Sequence, residues 1–430
     1  MALLIDDRSR TASLSFRGNF SWTFVGNFVF SACSWATLVV LAKLSTPEMV
    51  GRFALGLAVT APILMFSSLQ LGMIQATDAR RLHPFGDYLG LRLLMTLLAL
   101  LVITGVALLG GYRRESGLVI LAVGAAKAIE AISNVLYGLF QQRERMDRTA
   151  ISMMIRGITS VLAMAAASYL TGDVLWGVVA MAAAWAAVLV GYDLPSGALI
   201  LGDDPHDDRL RPRWRCGPLL ALTWIALPMG LAILISTLCS SIPRYFLEHY
   251  QGERELGLFA AVASLMAVGL TFMSALWQAA TPRLANNYHE GRMGSFWRLC
   301  LRLFAIGAVL GAAGVVAAAI AGREILTLMF RPEYARRTDL LIWVMITAAV
   351  QYTGGILSVA VMAMRRFWDQ MPVQVACLVA TVLLCAALVP RHGSVGAIWA
   401  QLISYVVSRL GFVLLILRDL PGIGRRVPTS

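Results

Sequence analysis

The sequence predicts an all-α membrane protein of about 12 transmembrane helices in two pseudo-symmetric six-helix lobes. Three observations carry that expectation. Apolar runs of about 20 residues recur along the chain, arginines gather between alternate runs, and motifs of the first half return in the second. Of 430 residues, 58% are hydrophobic and 14% charged, with a mean hydropathy of +0.72. Soluble domains carry about 25% charged residues. Membrane barrels need alternating segments of roughly ten residues, which are absent, so the spans are helices with every backbone polar group paired internally.

The expected spans are 18–42, 52–76, 89–111, 117–140, 151–170 and 174–194 in the first half. Those of the second half are 217–242, 256–281, 300–322, 338–364, 371–389 and 395–417. Each apolar run suffices to cross a hydrocarbon core of about 30 Å. Pro62 and Pro228 interrupt the second and seventh spans and predict bends there. The longest hydrophilic connection, Pro195 to Cys216, divides the chain into an N-terminal lobe 1–194, a linker 195–216 and a C-terminal lobe 217–430. No short apolar leader with a small-residue cleavage site precedes the first span, so no removable signal peptide is expected.

Orientation follows from the basic residues, of which only Lys43 and Lys127 are lysines. With the N-terminus cytoplasmic, 23 arginines face the cytoplasm and 11 basic residues face away, with Lys127 and Arg409 inside spans. That bias predicts both termini and the linker on the cytoplasmic side of a bacterial inner membrane. It also accounts for the net charge of +12 without a basic stripe for nucleic acid. The six cysteines form no C-x-x-C pair and stand with no histidine cluster, so metal, redox and cofactor chemistry are not expected.

The repeat pairs Leu41 and Gly51-Arg52-Phe53-Ala54 with Leu247 and Gly257-Leu258-Phe259-Ala260, at the same ten-residue spacing. The Gly172–Gly177 turn is echoed by Gly393–Gly396. An even number of spans per half gives the halves one orientation, an arrangement in which transporters place the substrate path between repeats.

Three stretches carry a family likeness: "LAKLSTPEMVGRFALGLAVTAPILMFSSLQLGMIQ" from Leu41, "IPRYFLEHYQGERELGLFAAVASL" from Ile242, and "ILTLMFRPEYARRTDLLIWVM" from Ile325 with "LVPRHGSVGAIWAQLISY" from Leu388. In these the chain resembles the polysaccharide-biosynthesis (Wzx-type) flippases of the multidrug/oligosaccharidyl-lipid/polysaccharide exporter superfamily. The resemblance implies two lobes around a central cavity, and transfer of an undecaprenyl-diphosphate-linked oligosaccharide from the cytoplasmic to the periplasmic leaflet. It implies a lipid-linked oligosaccharide and the bilayer as partners, with a glycan polymerase or export machinery nearby.

Such cargo needs polar groups for its glycan and cations for its diphosphate, since neither tolerates hydrocarbon. Lys127, Glu130, Asn134, Tyr137 and Gln141 share a face of the fourth span, as a cavity wall or as an ion pair inside the lobe. Arg409, with Gln401, Tyr405 and Ser408 nearby, has no acid on its own span and faces water or a functional anion, or pairs with a structural partner from another helix. Polar stripes on the first span (Asn19, Thr23, Asn27, Ser31) and the eighth (Ser264, Thr271, Ser274, Gln278) line a cavity or serve helix packing. Gln351 is a further candidate. Arg156 and Arg244 mark two mouths of the path or snorkel to the interfaces. The "DDPHDD" run, Asp203 to Asp208, matches a magnesium-diphosphate pattern but lacks a second acidic motif and reads as a solvated hinge.

With Glu130 as the only acid expected inside the membrane, a cationic-drug antiporter fits less well than a carrier of anions. A glycan polymerase or prenyltransferase lacks the large outer loops or paired acidic motifs it would need. A passive scaffold leaves the mid-depth polar residues unexplained.

Overall fold

A computed structural model of the chain describes residues 15–78, 83–202, 210–364 and 369–419. Ten helical stretches among the described residues are long and apolar enough to cross a membrane. The chain divides into two compact units, the first ending at Thr237 and the second beginning at Leu238.

The first unit opens with α1 (Phe16–Leu44), capped where Ser15 Oγ accepts from the Gly18 amide. Helix α2 (Pro47–Ser68) starts on a proline and ends at Leu69 and Gln70, two successive left-handed residues. They turn the chain into the short α3 (Leu71–Thr77). Then come α4 (Phe85–Leu109), α5 (Arg114–Gln142) and α6 (Met146–Thr171). Gly172, at φ 68°, closes α6 in the left-handed cap that favours glycine, and Asp173 Oδ1 accepts from the Leu175 amide to open α7 (Val174–Val188). Helix α5 is the hub, packed against α2, α3, α4 and α7, while α1 lies along α6.

The sixth span runs further than the sequence predicts. A π-helical turn, Leu189–Asp193, carries α7 into α8 (Leu194–Gly202), so the first third of the expected linker is helix. The Leu194 amide donates to Leu189 O, the five-residue spacing of a π turn, and Pro195, which has no N–H to donate, follows it. The "DDPHDD" run lies outside the described residues. Beyond it the chain lies against α4, where the Arg213 amide donates to Gly86 O at 2.9 Å.

Helix α9 (Cys216–His289) covers 74 residues, about 110 Å at 1.5 Å per residue, far more than one crossing requires. It breaks at Gly252, whose φ 81° and ψ 179° fall in a region essentially closed to residues with a Cβ. Its first part carries Leu219, Leu222 and Ala226 on one stripe, buried among Leu69, Leu71, Phe85 and Leu136. That stripe is why residues up to Thr237 belong to the first unit rather than the second. The second unit continues with α10 (Met293–Met329), a 3₁₀ turn (Tyr334–Arg337), α11 (Thr338–Ala363) and α12 (Gln370–Asp419). Helix α12 is broken at Gly393 (φ 55°) as α9 is at Gly252. Helix α11 packs against both α10 and α12.

The repeat motifs are core positions in both units. Leu41, Phe53 and Ala54 are buried in the first, and Leu247, Phe259 and Ala260 in the second. Gly172 and Gly393 both take positive φ at the matching turns.

Candidate functional site

Apolar packing around α5 gathers a group of charged side chains in the first unit. Lys127 Nζ donates to Glu130 Oε2 at 2.7 Å, and Arg156 Nη2 from α6 donates to Glu130 Oε1 at 3.3 Å. The Arg156 side chain is 2% exposed, Glu130 14% and Lys127 32%, so Lys127 is the member that reaches the surface of the unit. Three rings surround the Arg156 guanidinium: Phe30 at 5.0 Å, Trp185 at 5.4 Å and Tyr137 at 5.5 Å. Lys127 also lies over Trp185, at 5.3 Å. Ring faces attract cations, which offsets part of the cost of burying them. Arg156 Nε and Nη1 have no hydrogen-bond partner.

Hydroxyl groups extend this cluster toward the π turn. Tyr137 and Ser152 share a hydrogen bond of 2.7 Å, Ser133 Oγ donates to Asp193 Oδ2 at 2.7 Å, and the Ser152 hydroxyl stands near Asp193. Arg92, fully inside, donates from Nε to Ala131 O at 2.7 Å.

The second unit holds two guanidiniums of another kind. Arg244 on α9 and Arg409 on α12 both lie within electrostatic range of Tyr405, whose hydroxyl accepts from Gln401 Nε2 at 2.9 Å. Among the described residues no carboxylate pairs with either arginine, and Arg409 Nε is buried without a partner. Gln401, Tyr405, Ser408 and Arg409 fall on one face of α12 at helical spacing. The Arg409 stem lies flat on Gly354 of α11, where a Cβ would overlap its Cγ, Cδ and Nε. Gln351, one turn earlier on α11, has a buried Oε1 without a donor. This arrangement can take an anion: two cations, a hydroxyl and unfilled hydrogen-bonding atoms, with no acid among the described residues bonded to them.

Several expectations are corrected. Arg156 is not at a mouth but in the interior of the first unit, bonded to Glu130, so the Lys127–Glu130 pair is a triad. Glu130 is not the only acid within a span, because Asp193 and Asp87 are buried too. Arg92, counted with the cytoplasmic arginines, is buried against α5. Arg244 lies about 12 Å along α9 from the Gly252 break and neighbours Tyr405 rather than standing free at a helix end.

The polar stripes spend their donors locally. Thr23 bonds to Asn19 O, Asn27 Nδ2 to Thr23 O, Ser264 to Ala261 O, Thr271 to Ala267 O and Ser274 to Thr271 O, all on their own helices. Asn19 Oδ1 accepts from the Met146 amide and so caps α6. Asn134 and Gln278 are exposed on their helices. The residues sequence reasoning missed are Asp193, Ser133, Ser152, Trp185 and Phe30. The apolar run from Leu194 to Leu201 was the available sign that the sixth span continued past Asp193.

Comparison with known proteins fits these features. A family model described as "Polysaccharide biosynthesis protein" matches residues 16–288. The capsular polysaccharide biosynthesis protein CapF of Staphylococcus aureus is 24% identical over 399 residues, 92% of this chain and 97% of CapF. Among solved structures, the lipid II flippase MurJ in an inward closed conformation superposes with a TM-score of 0.73 at 12% identity, over 94% of this chain and 89% of MurJ. A MOP superfamily transporter from Pyrococcus furiosus gives 0.65 at 17% identity, over 98% of this chain and 96% of the other. The helical units described above therefore form the fold of the MOP transporters, and the chain belongs to the polysaccharide biosynthesis protein family.

Proposed function

We propose that this protein is a flippase that carries a polyprenyl-diphosphate-linked oligosaccharide from the cytoplasmic to the periplasmic leaflet by alternating access. The observation that carries the proposal is the Arg244–Arg409 pair at Tyr405, two guanidiniums without a carboxylate. Isolated cations at such depth are costly, and an anionic headgroup supplies the charge that the described residues do not. The proposed topology has twelve crossings, with α9 and α12 each crossing twice through the breaks at Gly252 and Gly393, and both termini in the cytoplasm. Gln351 is the proposed auxiliary contact to the headgroup and its glycan. No catalytic step is assigned to the chain.

One observation favours a second reading. Asp87 and Asp193 are buried acids, as an antiporter of cationic drugs requires, although Glu130 is already held by two cations.

The test is flipping of a fluorescent undecaprenyl-diphosphate sugar in proteoliposomes, read by protection from a membrane-impermeant quencher. Arg409→Ala and Arg244→Ala should each slow flipping by at least about tenfold, the worth of one charge-assisted contact, at unchanged membrane abundance. Arg409→Lys should recover little, because ammonium lacks the planar fork. Gly354→Ala, which displaces the Arg409 stem and keeps its charge, should resemble Arg409→Lys. Full flipping by both alanine variants, or export of a cationic dye in place of the lipid, refutes the assignment.

A further inference from the structure

Asp193 is a fully buried carboxylate of the first unit, and among the described residues no cation is bonded to it. Its side chain is fully buried at the end of the π turn, Oδ2 accepts from Ser133, Ser152 lies within reach, and Oδ1 has no partner. The charged groups on the helices packed around it are Arg114, Glu115, Lys127 and Glu130 on α5 and Asp147, Arg148 and Arg156 on α6, with Tyr137 and Tyr192 as the nearby phenols. Of the charged groups, Arg156 alone acts on Asp193, and its bonded carboxylate is Glu130. Helix α8 contributes no titratable group.

We propose that Asp193 is the proton-exchanging carboxylate of this transporter, wired to the Glu130 triad through Ser152 and Tyr137. An ionised carboxylate with one oxygen lacking any donor is among the costliest groups to bury, and one added proton removes the charge. The proton comes from water and forms an O–H bond on Asp193. On release that bond breaks, the proton returns to water and the carboxylate regains its negative charge. Two hydroxyls link the ends: Ser152 faces both Asp193 and Tyr137, and the Tyr137 ring lies against Arg156. In the deprotonated state each hydroxyl can donate toward the carboxylate; with a proton on Asp193 the chain can run in the opposite sense.

The consequence is electrostatic. Arg92, Lys127 and Arg156 set against Glu130 and Asp193 leave one excess positive charge in the buried cluster (three minus two), and protonated Asp193 leaves two (three minus one). The cluster therefore attracts an anion at the partly exposed Lys127 more strongly with the proton on and releases it more readily with the proton off. π turns inside helices are frequent at functional positions, and this one sets the Asp193 side chain toward α5 and α6 rather than toward lipid.

The assignment rests on the transporter reading but not on the identity of the cargo, so its test is made on resting protein. Full-length protein in lipid nanodiscs is titrated between about pH 5 and pH 9 while the infrared carboxyl C=O band is followed. A band of protonated carboxyl that rises and falls with pH should be present in the native protein, absent in Asp193→Asn and retained in Asp87→Asn, the other buried acid with an unpartnered oxygen. Ser152→Ala removes a donor to the charged form and should move the midpoint to higher pH by about one unit, which keeps the test open if Asp193→Asn does not fold. A titrating band that survives Asp193→Asn, the lack of any such band in the native protein, or a midpoint unmoved by Ser152→Ala overturns the proposal. None of these results touches the flippase assignment, which fails only in the flipping assay.

Discussion

Replacing Glu130 with glutamine tests whether the charged cluster of the first unit is a pair or a triad. The substitution keeps the side-chain volume and removes the one carboxylate bonded to both Lys127 (2.7 Å) and Arg156 (3.3 Å). Lys127 is one-third exposed and can turn to solvent, so losing its half costs no more than about 1 kcal/mol, as for partly exposed pairs. Arg156 cannot follow. It is 2% exposed, two of its nitrogens already lack partners, and the three surrounding rings hold the guanidinium where it is. Stranding a buried charge costs about 3–5 kcal/mol. Glu130→Gln should therefore lower stability by about 3 kcal/mol or more, over a hundredfold in the folded-to-unfolded ratio, and Lys127→Met by about 1 kcal/mol or less. Double-mutant cycles sharpen the contrast. The coupling of Glu130 to Arg156, with Arg156→Gln as partner change, should reach about 2–3 kcal/mol, while that of Glu130 to Lys127 should stay below about 1 kcal/mol. Lys127→Met/Glu130→Gln should stay destabilised because Arg156 is still unpaired. Reversible unfolding in mixed micelles, followed by tryptophan fluorescence, measures each difference. Native stability in that double variant would show that Lys127, not Arg156, is the partner that matters, and the triad argument would fail.

Gly252→Ala forces a Cβ into φ 81°, ψ 179° and should cost about 1–3 kcal/mol, seen as lower membrane abundance and earlier unfolding; unchanged stability would mean that α9 does not break there. Reporter fusions after Arg215 and Ser430 should read cytoplasmic, and insertions at Gly252 and Gly393 should read periplasmic. A periplasmic signal at either of the first two sites sinks the proposed orientation.

The local chemistry of single spans was legible in the sequence. A lipid-crossing helix must be apolar over about 20 residues, so the runs locate the helices whatever their neighbours do. Lys127 and Glu130 stand three apart on one helix, so backbone geometry alone brings them together, and the absence of an acid on the twelfth span already marked Arg409. The glycines at 172 and 393 announce turns because positive φ favours a residue without a Cβ. Contacts between spans were not legible. Arg156 looks like a snorkelling residue until α6 is laid against α5, and Arg92 looks like one more cytoplasmic arginine until its Nε is found on Ala131 O. Asp193 lies two residues before a proline and reads as the end of a span. Only the π turn, which carries the helix through to Gly202, turns it inward to Ser133. By itself the sequence determined that apolar helical segments recur along the chain and which polar residues they carry, because these depend on neighbours along the chain. Which charges share a site depended on the rotation and approach of packed helices, set by side chains 26 to 60 positions apart, and only the tertiary structure decided it.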